Sequence, residues 1–219
     1  MEALQKNKNN KGFTLFELLV VLTIISVVSA IGYPNFNSWR SDRDVRVAAV
    51  RLSNVFTEVY NYTQSSSYPF AQVLINSQED EIVVTGHGMP FDEYSTVLFN
   101  NQNQRPTCEI GVKGTDWRDI NLRPLRTTSV LFNFRDTVGV CFAKKTSHYN
   151  LNSEQTVFAS QSVILCLKAI MEARGENACS IEDIQLEETN YPAYQVEWSR
   201  FGNINYYKYN HRNNEWILQ

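Results

Sequence analysis

The sequence predicts an α+β protein in which one long N-terminal helix lies across an antiparallel β-sheet. Three observations carry that expectation. The first is an apolar run over residues 13–31. The second is a helical spacing of apolar residues from Val45 to Val59, and the third is a series of short β-branched and aromatic runs, parted by turn residues, through the rest of the 219 residues. A helix that is apolar on all sides at first and amphipathic afterwards needs a covering layer for its second half, which the strands downstream supply.

The apolar run reads FTLFELLVVLTIISVVSAI. At 1.5 Å per residue, about 20 helical residues cross a hydrocarbon core of about 30 Å, so the run is long enough to span. Ahead of it Lys6, Lys8 and Lys11 stand against Glu2, a basic flank that stays cytoplasmic while the rest of the chain is exported. An ordinary secretory signal ending at Val28-Ser29-Ala30 and a plain single-pass anchor both fit the apolarity. Neither explains Glu17. A carboxylate near the centre of a membrane helix costs about 3 kcal/mol and is kept where it has a partner.

The decapeptide Lys11-Gly12-Phe13-Thr14-Leu15-Phe16-Glu17-Leu18-Leu19-Val20 resembles the prepilin peptidase site of type IV pilins and type II secretion pseudopilins. The resemblance implies cleavage between Gly12 and Phe13 and methylation of the new amine on Phe13 by the same enzyme. Glu17 becomes the fifth residue of the mature chain, and the resemblance gives it an assembly role, its carboxylate meeting the N-terminal amine of a neighbouring subunit. Pro34 resembles the helix-kinking proline of many pilins. The partners implied are the prepilin peptidase/methyltransferase, other pilin or pseudopilin subunits, an inner-membrane assembly platform and the lipid bilayer. The implied location is the bacterial inner membrane, with the N-terminus cytoplasmic and the globular domain outside it, and then a pilus or pseudopilus.

After Pro34 the chain turns polar, yet Val45, Ala48, Ala49, Leu52, Val55, Phe56 and Val59 recur in steps of three and four. The opposite face holds Arg40, Asp42, Arg43, Asp44, Arg46, Arg51 and Glu58, a solvated face of mixed sign. The helix is expected to end near Tyr62, before the turn-rich 63–69. This divides the chain into a leader at 1–12, a membrane or filament-core helix at 13–33, its amphipathic continuation at 34–62 and an exported β-rich domain at 63–219. Within it, strands are expected at 70–75, 81–85, 95–99, 109–112, 129–134, 138–143 and 156–160. Residues 163–174 suit either a short helix closed by Gly175 or a buried strand, and the helix is preferred. Residues 194–198, 204–209 and 215–218 form a three-stranded meander. One helix followed by many strands, with the Phe201-Gly202-Asn203-Ile204 turn, is similar to the GspH/FimT-like minor pseudopilins and minor pilins.

Cys108, Cys141, Cys166 and Cys179 contain no C-x-x-C pair, which argues against zinc, and an exported domain permits disulfides. Four cysteines allow three pairings; Cys166 with Cys179 closes the shortest loop and leaves Cys108 with Cys141. No metal and no cofactor are expected. His87, His148 and His211 lie in polar surroundings without metal or catalytic spacing and read as surface residues, and Gly86-His87-Gly88-Met89-Pro90 reads as a turn. No nucleophile elbow is present, so the chain is expected to be acted upon by an enzyme and not to be one. A net charge of -3 argues against a surface built for phosphates. An alternative is a minor pilin that contacts DNA through Lys208 and Arg212, set among Tyr206, Tyr207 and Tyr209. A further alternative is an exported domain freed by ordinary signal cleavage after Ala30.

Overall fold

The computed structural model describes residues 13–65, 68–77, 81–100, 117–135, 137–143, 149–150, 161–180, 182, 184, 191–199 and 202–219, the side chains of 31–35, 97, 98, 100, 149 and 150 excepted. Helix α1 (Leu15–Gln64) is the first element of the described chain. The contacts divide the protein into two compact units, Met1–Arg40 and Ser41–Gln219.

In the first unit the hydroxyls of Thr23 and Ser26 donate to the carbonyls of Leu19 and Leu22, so these two polar groups are satisfied within the helix. Helical backbone continues through Pro34. Proline lacks an N–H, so position 34 is a weakened turn and the bend expected there stays a proposal.

The second unit starts with the amphipathic part of α1. All seven residues of the predicted face, from Val45 to Val59, are at most 5% exposed. The helix closes two residues beyond the expected end, where Ser65 N–H still donates to Asn61 at 2.9 Å. The strands are β1 (Phe70–Ser77), β2 (Ile82–Met89), β3 (Arg118–Asp119), β4 (Leu125–Thr127), β5 (Val130–Phe132), β6 (Val138–Ala143) and β7 (Tyr149–Asn150), followed by β8 (Ser162–Leu167), β9 (Ala193–Trp198), β10 (Ile204–Asn210) and β11 (Glu215–Leu218). They form two antiparallel sheets where one was expected. The first runs β3-β2-β1-β6-β7 with β4 also on β2, and the second runs β11-β10-β9-β8-β5. One core joins them, because the α1 face contacts both. The Phe56 ring stands edge-on to Phe142 of the first sheet at 6.2 Å and to Trp198 of the second at 5.1 Å. Each such ring contributes about 1.5–3 kcal/mol by leaving water.

The meander is present as β9, β10 and β11. Its first turn carries Gly202 at φ +80, where a Cβ would also run into the Tyr60 ring of α1. Residues 95–99 are not a strand: they belong to α2 (Phe91–Asn100). Pro90 stands just before its first turn, Asp92 and Glu93 sit at its positive end, and Ser95 and Thr96 return their hydroxyls to the Asp92 carbonyl at 2.8 and 2.9 Å. Local capping overrides the β-branched composition. Residues 86–89 are likewise not a turn but the end of β2, with two glycines that make room for neighbours. A Cβ on Gly88 would lie 2.6 Å from the Tyr68 ring, and one on Gly86 would collide with Leu122.

The ambiguous 163–174 segment is both things in turn, strand β8 and then helix α3 (Lys168–Ala173) closed by Gly175 at φ +79. Ser162 to Cys166 are all buried, so the strand has no alternation by which sequence could separate it from a helix. Cys166 and Cys179 are joined by a disulfide across 13 residues, a constraint of about 3 kcal/mol in the chain-entropy picture. Cys141 is also disulfide-bonded, while Cys108 lies outside the described residues, as do 109–112 and 156–160. The two described histidines, His87 and His211, are not loose surface groups. His87 is 19% exposed, with Nδ1 2.9 Å from Asp119 and Nε2 3.0 Å from the Thr85 hydroxyl, and it ties β3 to β2. His211 Nε2 donates to the Tyr191 carbonyl at 2.8 Å. His148 lies outside the described residues.

Candidate processing and assembly site

Phe13 and Thr14 precede α1, and Thr14 caps it. The Thr14 hydroxyl oxygen accepts from Glu17 N–H at 3.1 Å, and its carbonyl accepts from Leu18 N–H at 3.2 Å. Thr14-Leu15-Phe16-Glu17 has the threonine-to-glutamate spacing of a capping box, so the helix starts two residues after the bond expected to be cut. Gly12 lies outside the described residues. Glu17 falls in the first turn, where the free N–H groups of a helix favour a negative charge by about 0.3–1 kcal/mol.

What surrounds this carboxylate is apolar and uncovered. Phe13 is 84% exposed and Phe16 74%, and Leu18, Leu19, Val20, Val21 and Leu22 are all exposed, which takes the exposure round the whole helix. A surface of this size and continuity marks contact with lipid or with other protein. Among the described residues, no helix is long and apolar enough to cross a membrane. The helical residues with described side chains in this stretch are 15–30, and the apolar run of the sequence extends beyond them at both ends.

Of the remaining predicted residues, Lys208 is engaged inside the second unit. Its ammonium lies 2.7 Å from Asp42 on α1 and 5.9 Å from the centre of the Tyr194 ring. Tyr194, 1% exposed, donates its hydroxyl to both Asp42 oxygens at 3.2 and 3.3 Å. Burial first, and the Asp42 charge second, push its phenol well above the usual range. The three groups pin α1 to β9 and β10, so Lys208 already has an anion. Arg212 is exposed in the β10–β11 turn, its N–H donating to the Asn210 side chain at 3.0 Å. Asp42→Ala would strip a buried hydroxyl and an ammonium of their acceptor, and should cost about 2–3 kcal/mol in urea unfolding of the full chain followed by near-UV circular dichroism. Lys208→Met should cost under about 1 kcal/mol, because the ammonium is partly solvated. Equal losses from the two would contradict this ranking.

Asp42 was not singled out in the sequence, where it is one of several charges on a polar face. Among the described residues, no three His, Cys, Asp or Glu side chains gather as metal ligands.

Residues 7–33 match the family model of the prokaryotic N-terminal methylation motif. The chain thus carries the processing and methylation motif of the type IV pilin-like prepilins, a structural and not an enzymatic family. The motif implies a membrane-anchored precursor, processing by prepilin peptidase and assembly with other pilins. No curated protein and no solved structure matches the chain.

Proposed function

We propose that the chain is a minor pilin or pseudopilin of the GspH/FimT-like kind. It is inserted once in the bacterial inner membrane with its N-terminus cytoplasmic, cut after Gly12, methylated on Phe13 and added to a type IV pilus or type II secretion pseudopilus. The observation that carries this reading is the first part of α1: an apolar surface exposed on every side, holding a single ionisable group, Glu17, one turn from the new N-terminus. Lipid covers such a surface before assembly, and the equivalent helices of neighbouring subunits cover it afterwards.

Leader removal changes the electrostatics as well as the length. Loss of Glu2, Lys6, Lys8 and Lys11 takes the formal side-chain charge from -3 to -5 and exposes an amine beside the apolar helix. That amine and the Glu17 carboxylate of a neighbour are each costly alone in a low-dielectric setting and attract strongly together. The Cys108–Cys141 pairing belongs to the same proposal, as does a bend at Pro34.

The test is mass spectrometry of the mature N-terminus from the native cell. A chain beginning with N-methylated Phe13 and recovered from sheared filaments or from the pseudopilus fraction is expected. A chain beginning at Ile31 would instead support ordinary signal cleavage and would overturn the assignment.

A further inference from the structure

Just past Pro34 the helix exposes apolar surface of a different kind. Phe36 is 57% exposed and Trp39 56%, and their rings lie 5.8 Å apart between centroids, tilted by 36°. Three residues apart on a helix, they share one face. Arg40 follows them and is exposed as well. Between Glu17 and Arg40 the sequence holds no Asp, Glu, Lys, Arg or His, so the charge-free stretch outlasts the apolar run and ends at Trp39. An exposed aromatic pair on such a helix marks a contact with something other than water.

Helical rise sets where these residues fall. The basic leader keeps the start of α1 at the cytoplasmic edge of the hydrocarbon. From Leu15 to Trp39 the helix rises about 36 Å, or about 34 Å along the membrane normal at a common tilt of about 20°. The hydrocarbon core is about 30 Å thick, and each headgroup layer adds about 5–7 Å. In a helix seated this way Trp39 lies in the outer headgroup layer, and Phe36, a turn earlier, at the edge of the core. Tryptophan suits that level because its ring is apolar while its N–H takes a water or lipid oxygen. Arginine beside it presents a planar fork of donors to lipid phosphates. We propose that Phe36, Trp39 and Arg40 anchor the chain in the outer headgroup layer of the bilayer, so that its membrane segment ends at Trp39 and not at residue 33. The pair follows, on the same helix, the exposed apolar residues from Leu15 to Val28, so the bilayer that covers those reaches it too. The inference rests on the membrane-anchored reading and adds to it the depth of the helix and the groups that hold it.

The experiment places the full chain in vesicles of phosphatidylethanolamine and phosphatidylglycerol. It reads tryptophan quenching by lipids that carry a nitroxide either at the headgroup or near the end of the acyl chain. The chain has four tryptophans, so the Trp39 part is the difference between the wild type and Trp39→Phe. Equal far-UV circular dichroism of the two chains checks that the subtraction compares like folds. The Trp39 part should be quenched about twofold or more by the headgroup label relative to the chain-end label. Arg40→Glu should lower the headgroup quenching about twofold, because an acid there is repelled by the anionic lipid, and an unchanged value would strike Arg40 from the anchor. A Trp39 part quenched most by the chain-end label would overturn the headgroup assignment. A chain that floats with the vesicles while neither label reaches Trp39 would overturn the anchor, leave the membrane reading intact and point to a neighbouring subunit as the cover of the pair. A chain that does not float with the vesicles would overturn the membrane reading, and this inference with it.

Discussion

Gly12→Ile is expected to leave the whole population of the chain uncut. The N-terminal motif spans residues 7–33, and the bond after Gly12 is the one its resemblance to prepilin sites marks for cleavage. A β-branched side chain restricts the backbone just where glycine leaves it free, and it adds bulk where a peptidase must approach the scissile carbonyl. The retained leader keeps Lys6, Lys8 and Lys11 on the cytoplasmic side and keeps the Phe13 nitrogen as an amide. Intact-mass measurement should therefore find all twelve leader residues and no methylated Phe13, and no chain should reach a filament. The outcome also separates the two cleavage readings. A signal peptidase acting after Ala30 has no contact with Gly12 and would still yield a chain beginning at Ile31. A Gly12→Ile chain that starts at Phe13 would contradict the assignment of the processed bond.

The parts of the fold legible in the sequence are those whose signal is local and periodic. The amphipathic half of α1 is the clearest: seven apolar residues at helical spacing mark one buried face from Val45 to Val59. The C-terminal meander is legible for a related reason, since its turns carry glycine or polar residues and its strands carry aromatics. What failed was set by partners distant in the chain or, at 95–99, by a helix start just upstream of the run. Gly86 and Gly88 look like turn residues until Leu122 and Tyr68 are found pressed against them. Residues 95–99 look like a strand until the start of α2 at Pro90 and Asp92 is recognised. The division into two sheets depends on which strands pair, and alternation within a strand does not encode that.

The site divides in the same way. Phe13, Thr14 and Glu17 stand within one turn of each other, so a short motif carries them, and the cap geometry adds why the helix starts at Leu15. The Asp42, Tyr194 and Lys208 cluster joins groups 152 residues apart at its Asp42–Tyr194 contact. Local reading offered Lys208 to DNA only as an alternative, and nothing near it in the chain announces Asp42. The pair also bears on where the protein is held together. Asp42 is the second residue of the larger unit, so this latch stands at the point where α1 enters its own domain.

Glu17→Ala should lower filament incorporation about tenfold or more while leaving cleavage at Gly12 essentially complete. On the proposed mechanism the two effects separate, because the bond assigned to the peptidase lies on the other side of Phe13 and the carboxylate acts when the helix leaves lipid. The helix start survives the substitution: the bond to the Thr14 hydroxyl comes from the Glu17 backbone N–H, which alanine retains. Alanine is also the better helix former. Removal of the carboxylate relieves a membrane cost of at most about 3 kcal/mol, the figure for a helix centre, so the variant should be held in the bilayer at least as firmly as the wild type. In the assembled state the sign reverses. An amine and a carboxylate about 4 Å apart attract by roughly 4 kcal/mol at an effective dielectric constant of 20, and the variant leaves the neighbour's amine charged, desolvated and unpaired. A net loss of even 1–2 kcal/mol corresponds to a factor of about 5–30. The comparison of membrane-held with sheared chain therefore moves in a direction that general misfolding would not give: more mature, folded protein in the membrane and less in the filament. Glu17→Gln keeps the size and removes the charge, and it should fail like alanine if ion pairing is the cause. Near-normal assembly of the glutamine variant would show that shape and not charge is what position 17 supplies.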